Sequence, residues 1–577
     1  MLKVSLGFVS LAMVFGNGGA MAADSAKPEK LISLYSKKAG EAYAKLPPAK
    51  KGGILYTRLI ANPKTLNPII NHDWEPDAPI HMIYTRLMEK DADTSEYFPL
   101  LAEKMEVTKD RKVAVYTLRK EAVWSDGTPV TTDDVEFTYH TLWDPKVDAA
   151  PKRAYFGAFK FEKVDGRTFK FSFEHPGINT LVNLNYDFFV IQKKQFAGVS
   201  DFNTSKGTIE PIGNGPYKFK SFSRDQKLEF ERDKNWWGYQ LPTMKNLYNF
   251  DSIVYRIISD TTLAYEKFIK GEIDILDTNA EMFGTRIKGV DKAKFGTTAD
   301  SGKPYWGIHA RTQTVAQLTY IGWNLHRPMF ESKKTRQALA QLVDYDQIIN
   351  KVYFGEAIRS VSPFGSLTPN TAPGQLKKAY QLNPAKALAL LKEDGWADVD
   401  HSGVLSKTLD GKPTKFEFTL MYNSENPMRA KISQMVKENF KKAGIVVNIR
   451  AVEFNTLNDE KNKHNFDALV FGWAGGNLNS DVTQIWASKS YENEGSNFIG
   501  YKNDEVDRLA AAADAELDVQ KHFKIVQKVG AILYDDQPYV FLLELPGFLM
   551  GVSSKLKASK WYFKYEDAMP LWQYSAE

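Results

Sequence analysis

A mixed α/β chain in two parts is expected from three patterns: short alternating runs early, strand and helix alternation late, and an ordinary globular composition. In the first part Val113 and Val115 alternate with Ala114, Tyr116 and Leu118, and Phe169, Phe171 and Phe173 alternate with Lys170 and Ser172. Side chains of a strand point to opposite faces in turn, so these runs read as half-buried strands. From about Leu318 the period changes. Phe416, Phe418, Leu420 and Tyr422 form a strand, Ile432, Met435, Val436 and Phe440 stripe a helix that Gly444 ends, and Ile445, Val447 and Ile449 form another strand. A strand, crossover helix and strand of this spacing make a right-handed parallel unit. The 577 residues are 43% hydrophobic and 25% charged, the balance of a folded soluble chain of several domains.

Taken in order, Met1 to Ala22 reads as a secretory leader: Lys3, the apolar stretch Val4 to Phe15, then Ala20-Met21-Ala22 at a cleavage site. No later apolar run reaches the ~20 residues that cross a bilayer, and no cysteine follows the leader to carry a lipid, so a periplasmic protein without a lipid anchor is expected. Residues 23–50 form a polar lead-in arm, and Ile54 to Leu59 is the first strand. Ser125-Asp126-Gly127, Asp165-Gly166 and Gly213-Asn214-Gly215-Pro216 mark turns. Thr131 with Asp134 starts a helix, its side-chain oxygens satisfying first-turn amides. Leu339, Leu342, Val343 and Ile349 fall on one face of a later helix. Asn383 caps another, with Pro384 in its first turn and Gly395 closing it.

The residue inventory excludes several chemistries. With no cysteine there are no disulfides, thiolate metal sites or cysteine nucleophiles. The nine histidines show no H-E-x-x-H spacing, so no metal site is expected, and no G-x-S-x-G elbow presents a serine. Gly213-Asn214-Gly215 lacks the rest of a phosphate loop and reads as a tight turn. Lys+Arg exceed Asp+Glu by 75 to 70, too little for a nucleic-acid partner. Neither catalysis nor a cofactor is expected, although two of the 70 acids in a glycosidase arrangement would leave no local signature.

Blocks spread over nearly the whole chain carry a resemblance. They include Gly52-Gly53, Thr65-Leu66-Asn67-Pro68, Leu118-Arg119-Lys120 through Trp124-Ser125-Asp126-Gly127-Thr128-Pro129-Val130-Thr131, and Asp134-Val135. Gly213-Asn214-Gly215-Pro216-Tyr217, Gly271-Glu272-Ile273-Asp274, Thr335-Arg336-Gln337-Ala338-Leu339 and Val352-Tyr353-Phe354-Gly355-Glu356 follow. Gly472-Trp473 and Asn497 to Asp507 complete the series. In order and spacing the chain resembles the extracellular solute-binding proteins, family 5, the oligopeptide- and dipeptide-binding proteins of ABC transporters.

The resemblance implies a two-lobed periplasmic-binding-protein-like fold with an extra subdomain in lobe one. Lobe one would run over 51–311 with the subdomain at about 77–195, lobe two over 312–539, and 540–577 would return to lobe one. The crossings fall near Arg311 and Tyr539, with Val540 to Leu543 among the returning strands. Such a monomer would close on a peptide and pass it to a membrane-embedded ABC permease. Binding varied peptides requires gripping their main chain, as an added strand does, and Phe466 to Gly476 offers a strand ending in an aromatic and glycines. Trp473, Ala474, Gly475, Gly476 and Asn477 are therefore candidate ligand residues, a buried core tryptophan being the other reading of Trp473. Relatives that clamp a peptide ammonium place an aspartate where this chain has Gly476, and Asp481 is the nearest substitute. From the opposing lobe His72, Asp73 and Trp74 are candidates, and Trp306, Trp323 and Asn324 near the hinge either line the cleft or pack. The alternatives are the same scaffold with an oligosaccharide, metal complex or haem, and a secreted carboxylate-pair hydrolase.

Overall fold

Three larger sheets organise the chain. The computed structural model describes residues 31–33, 35, 38–71, 77–94, 96–287, 305–474, 482–491, 496–557 and 573–574, so the expected leader lies outside the described residues. The first sheet is antiparallel, in the order Ile32–Ser33, Ala102–Val107, Val113–Leu118, Thr168–Ser172, Lys160–Lys163. Part of the lead-in arm thus supplies its edge. Strict alternation buries Ala114, Tyr116 and Leu118, and Tyr116 stacks on Phe169 at 5.2 Å. The helix Thr132–Trp143 starts as expected: Asp134 accepts from Thr131 N at 3.0 Å and also from Trp124 Nε1 at 3.3 Å. That carboxylate ties the Trp124 turn to the helix.

The second sheet orders Ile54–Leu59, Ser252–Ile257, Lys227–Arg232 and Tyr217–Ser223, its first pair parallel. Gly213 is obligatory beside it, because a Cβ there would lie 2.1 Å from the Ile83 carbonyl oxygen. The Gly213–Gly215 turn is an internal clamp: Asn214 O accepts from both Trp236 Nε1 and Trp237 Nε1, and Asn214 Oδ1 from Thr85 N.

The third sheet has seven strands. Its long members are β1 (Tyr305–Trp323) and β5 (Tyr539–Ser553). Between them in the chain come β2 (Glu417–Asn423), helix α1 (Pro427–Lys442), β3 (Val446–Val452), helix α2 (Phe454–Asn462) and β4 (Ala468–Ala474). The spatial order is Ile275–Asp277, β5, β1, β4, β2, β3, with Ile358–Arg359 also on β5. β2 pairs in parallel with both β3 and β4, which establishes the expected strand–helix–strand unit as parallel.

β1 and β5 form one antiparallel ladder from Tyr305↔Ser553 to Gly322↔Tyr539, with register breaks between Ala310 and Val315 and between Val315 and Gln317. On one side of the breaks Ile308, Met550 and Val552 join the apolar cluster of the first two sheets. On the other side Ile321, Val540, Leu542 and Leu543 join the cluster that holds Ile432 and Val436, which Tyr305 and Leu549 from the first side also join. Val540 to Leu543, expected among the strands returning to lobe one, pair with Thr319–Ile321 and are buried there. A single strand long enough to serve both halves has no composition change at its crossing.

The helix expected through Leu339 and Ile349 is also interrupted. Lys333–Ala340 stops at Gln341, and Asp344 caps a new turn by accepting from Gln347 N at 2.9 Å. A short acid competes for backbone amides better than a helix interior tolerates, while Leu339, Leu342 and Val343 stay buried.

Glu544 on β5 lies opposite Leu318 and is 1% exposed. Its carboxyl accepts from Ser360 Oγ at 2.8 Å, Ser366 N at 2.8 Å and Ser366 Oγ at 2.7 Å, fastening the loop after Arg359 to the sheet. Burial outweighs these donors and pushes the group up from 4.5 to about 7. The folded protein then keeps a proton that the unfolded chain releases, so this site's contribution is full below about pH 4.5 and lost as pH rises to about 7. Glu544→Gln is expected to gain roughly 2 kcal/mol on the wild type between about pH 5 and about pH 8. Urea unfolding of both proteins at the two pH values measures it, and parallel pH profiles would refute it.

Candidate functional site

The site follows from where parallel strands part. β2 and β4 pair at Leu420↔Ala468 and Met421↔Leu469 and no further. The chain leaves β2 through α1 to β3 on one side, then returns through α2 to β4 on the other side of β2. α1 buries Ile432, Val436 and Phe440 in one cluster and α2 buries Leu457 in another. Strand order therefore reverses between β2 and β4, and the carboxyl ends of strands at such a reversal open a crevice for ligands. Beyond Leu469, β4 pairs only with β1, through Trp473↔Leu318 to Ala474↔Gln317. From Val470 to Ala474 its other edge has no ladder partner among the described residues.

Arg429 lies in this parting. It occupies the third position of α1, whose cap Asn426 accepts from Arg429 N at 3.0 Å. Its side chain is 8% exposed, donates from Nη1 to Asn423 Oδ1 at the end of β2 at 2.7 Å, and lies 4.8 Å from the Phe471 ring centre. Gly472 admits it: a Cβ there would lie 3.2 Å from Arg429 Nη2 and 2.7 Å from Leu318 O. No carboxylate pairs with this guanidinium among the described residues, and its Nε is buried without a hydrogen bond. Burial lowers its pKa, partly opposed by Tyr320 and Tyr353. A buried cation without a counter-ion is costly, and a cation in the first turn also opposes the helix dipole. Among the described residues neither cost is offset by a carboxylate. That second cost was the available sequence signal, since Arg429 follows Asn426 and Pro427 at a helix start.

The expected site residues separate into three groups. Trp473 is half-buried at the end of β4, one side packed on Tyr320 at 6.4 Å and Phe498 at 6.0 Å. Ala474 follows it on the same strand. For Trp323 and Asn324 the structure shows the packing alternative. Trp323 is fully buried and stacks on Phe330 at 4.9 Å, with Phe418 edge-on at 5.9 Å. Asn324 is spent on backbone, its Nδ2 donating to Phe466 O at 2.8 Å and His464 O at 3.0 Å. Trp306 pairs with Val552 at the opposite end of β1 from Leu318 and Trp473, so its backbone is remote from the crevice. His72, Asp73, Trp74, Gly475, Gly476, Asn477 and Asp481 lie outside the described residues. No group of three or more His, Asp or Glu able to hold a metal ion occurs among the described residues.

Residues 96–495 match the family described as bacterial extracellular solute-binding proteins, family 5. The oligopeptide-binding protein AppA of Bacillus subtilis (strain 168) is 27% identical over 524 residues, 89% of this chain and 90% of AppA. The structure of AppA from that species in complex with a nonapeptide is similar with a TM-score of 0.69 and 26% identity, covering 92% of this chain and 100% of AppA. NikA from Brucella suis in complex with Fe(III)-EDTA shares the fold with a TM-score of 0.75 at 19% identity, over 91% of this chain and 100% of NikA. The two-lobed, mixed α/β protein described above belongs to the bacterial extracellular solute-binding proteins of family 5.

Proposed function

We propose that the protein captures a peptide or peptide-like solute between its lobes and delivers it unaltered to an ABC importer. The observation that carries this reading is the edge of β4 that has no ladder partner among the described residues, with a buried guanidinium beside it that meets no carboxylate among them. Main-chain amides and carbonyls from Val470 to Ala474 offer a guest the hydrogen bonds of an added strand. Arg429 offers it a charge-assisted, two-pronged bond to a carboxylate. Together they fit an extended chain carrying a carboxylate, with side chains left to Trp473 and the surrounding space. The peptide bound by AppA supports the same class of guest.

No step of bond cleavage is assigned to the site, and the protein acts as a monomer in this reading. We place it outside the cytoplasm as an exported, unanchored protein. The leader pattern at Met1–Ala22 and the extracellular character of the family support that placement. No described helix is long and apolar enough to cross a membrane. The register breaks at Ala310–Gln317 support a hinge there, because a ladder bends where its register slips. Closure would then bring lobe one onto the open edge and stabilise the filled state.

Three outcomes test this reading. Thermal unfolding should move upward with peptides and much less with the same peptides amidated at the carboxyl end, because mass action rewards only binding. A shift with oligosaccharides alone would overturn the peptide assignment. Arg429→Met should weaken peptide binding at least about tenfold while the empty protein unfolds at the same temperature or higher, as relief of an uncompensated charge requires. Calorimetric titration and a melting scan measure the pair, and equal loss of both would make Arg429 structural. In small-angle scattering, saturating peptide should contract the radius of gyration, and an unchanged radius would count against closure.

A further inference from the structure

Lys461, on the last turn of α2, is placed as few lysines are. Its Nζ lies 5.2 Å from the Phe471 ring centre and 5.1 Å from that of Phe498, and both rings are nearly fully buried. Lysine ordinarily keeps its ammonium in water or pairs it. Here the side chain is half-buried and forms no ion pair or hydrogen bond among the described residues. Burial alone lowers its pKa. The aromatic faces return only part of the lost hydration, about 0.5–2 kcal/mol for a cation over rings.

Phe471 also lies under Arg429, at 4.8 Å. The two cationic centres therefore share one ring and are at most about 10 Å apart. Phe498, the second ring under Lys461, packs on Trp473 at 6.0 Å. The ammonium thus borders the same stretch of β4, and neither cation meets a carboxylate among the described residues, so one anionic guest can engage both.

We propose that Lys461 and Arg429 form a two-cation cradle that selects guests with two carboxylates, an acidic side chain lying within about 10 Å of the carboxylate held by Arg429. This rests on the peptide reading of the crevice and adds a preference to it: acidic peptides over neutral ones of the same length. Lys461 is a specificity-determining residue in this account, and its contribution weakens with salt because the ammonium is not fully enclosed.

The test uses penta-alanine and its five single-glutamate forms, titrated calorimetrically into the full chain at low salt. At least one glutamate form should bind about fivefold or more tighter than penta-alanine, as a charge-assisted contact provides. In Lys461→Met that ratio should fall below about twofold, and in Lys461→Arg it should persist, because the cation is kept. Melting scans of both variants establish that they are folded. Penta-alanine binding with no glutamate preference, or a preference that survives in Lys461→Met, would overturn the cradle and leave the peptide reading standing. Failure of all six peptides to bind would bring down the peptide reading and the cradle with it.

Discussion

Buried main chain must find hydrogen-bond partners, and in this protein the parting of β2 from β4 after Met421 and Leu469 leaves one row of it waiting. Most features of the second half serve that gap. β1 fixes the closed side of β4 through a seven-residue antiparallel register. α1 and α2 leave the sheet on opposite faces and bring their side chains to the rim of the parting. Glycine at 472 is required by the close approach of the Leu318 carbonyl and also leaves room for the guanidinium beside the strand. Among the described residues this edge of β4 has no ladder partner and Arg429 no carboxylate, and the extended, carboxylate-bearing guest proposed above would bring both.

The electrostatics of this region differ from those elsewhere in the molecule. Asp134 and Glu544 are buried acids whose oxygens are met by donors from their own surroundings, so each fastens local structure. Among the described residues Arg429 receives one amide oxygen and a ring face, and Lys461 receives ring faces only. Stability would be better served by apolar side chains at both positions. A protein that gives up stability at a crevice gains a charged site whose strength is realised only when filled.

Local patterns carried the early elements well. Thr131 and Asp134 mark a helix start that the structure retains, and the alternation at Phe416–Tyr422 and Ile445–Ile449 gives two adjoining parallel strands. The strand that carries Trp473 was legible from its apolar run, and among the described residues it extends to Ala474. Arg429 was not singled out, because periodicity counts an arginine near a helix start as part of the polar face and does not register its conflict with the dipole. Trp323 misled for a related reason: an indole beside an asparagine looks the same in sequence whether it faces a cleft or stacks on Phe330. The break at Gln341 depends on competition from Asp344, which periodicity does not measure.

The open edge of β4 has a cost apart from recognition. Unpaired strand edges recruit strands from other molecules, and natural proteins guard them with inward-pointing charge. Arg429 is such a guard. A neighbouring molecule's apolar strand laid against Val470–Ala474 would trap the guanidinium without a counter-ion, whereas a carboxylate-bearing guest would not. If Arg429 holds the guest's carboxylate as proposed, the same residue discourages self-association of the empty protein.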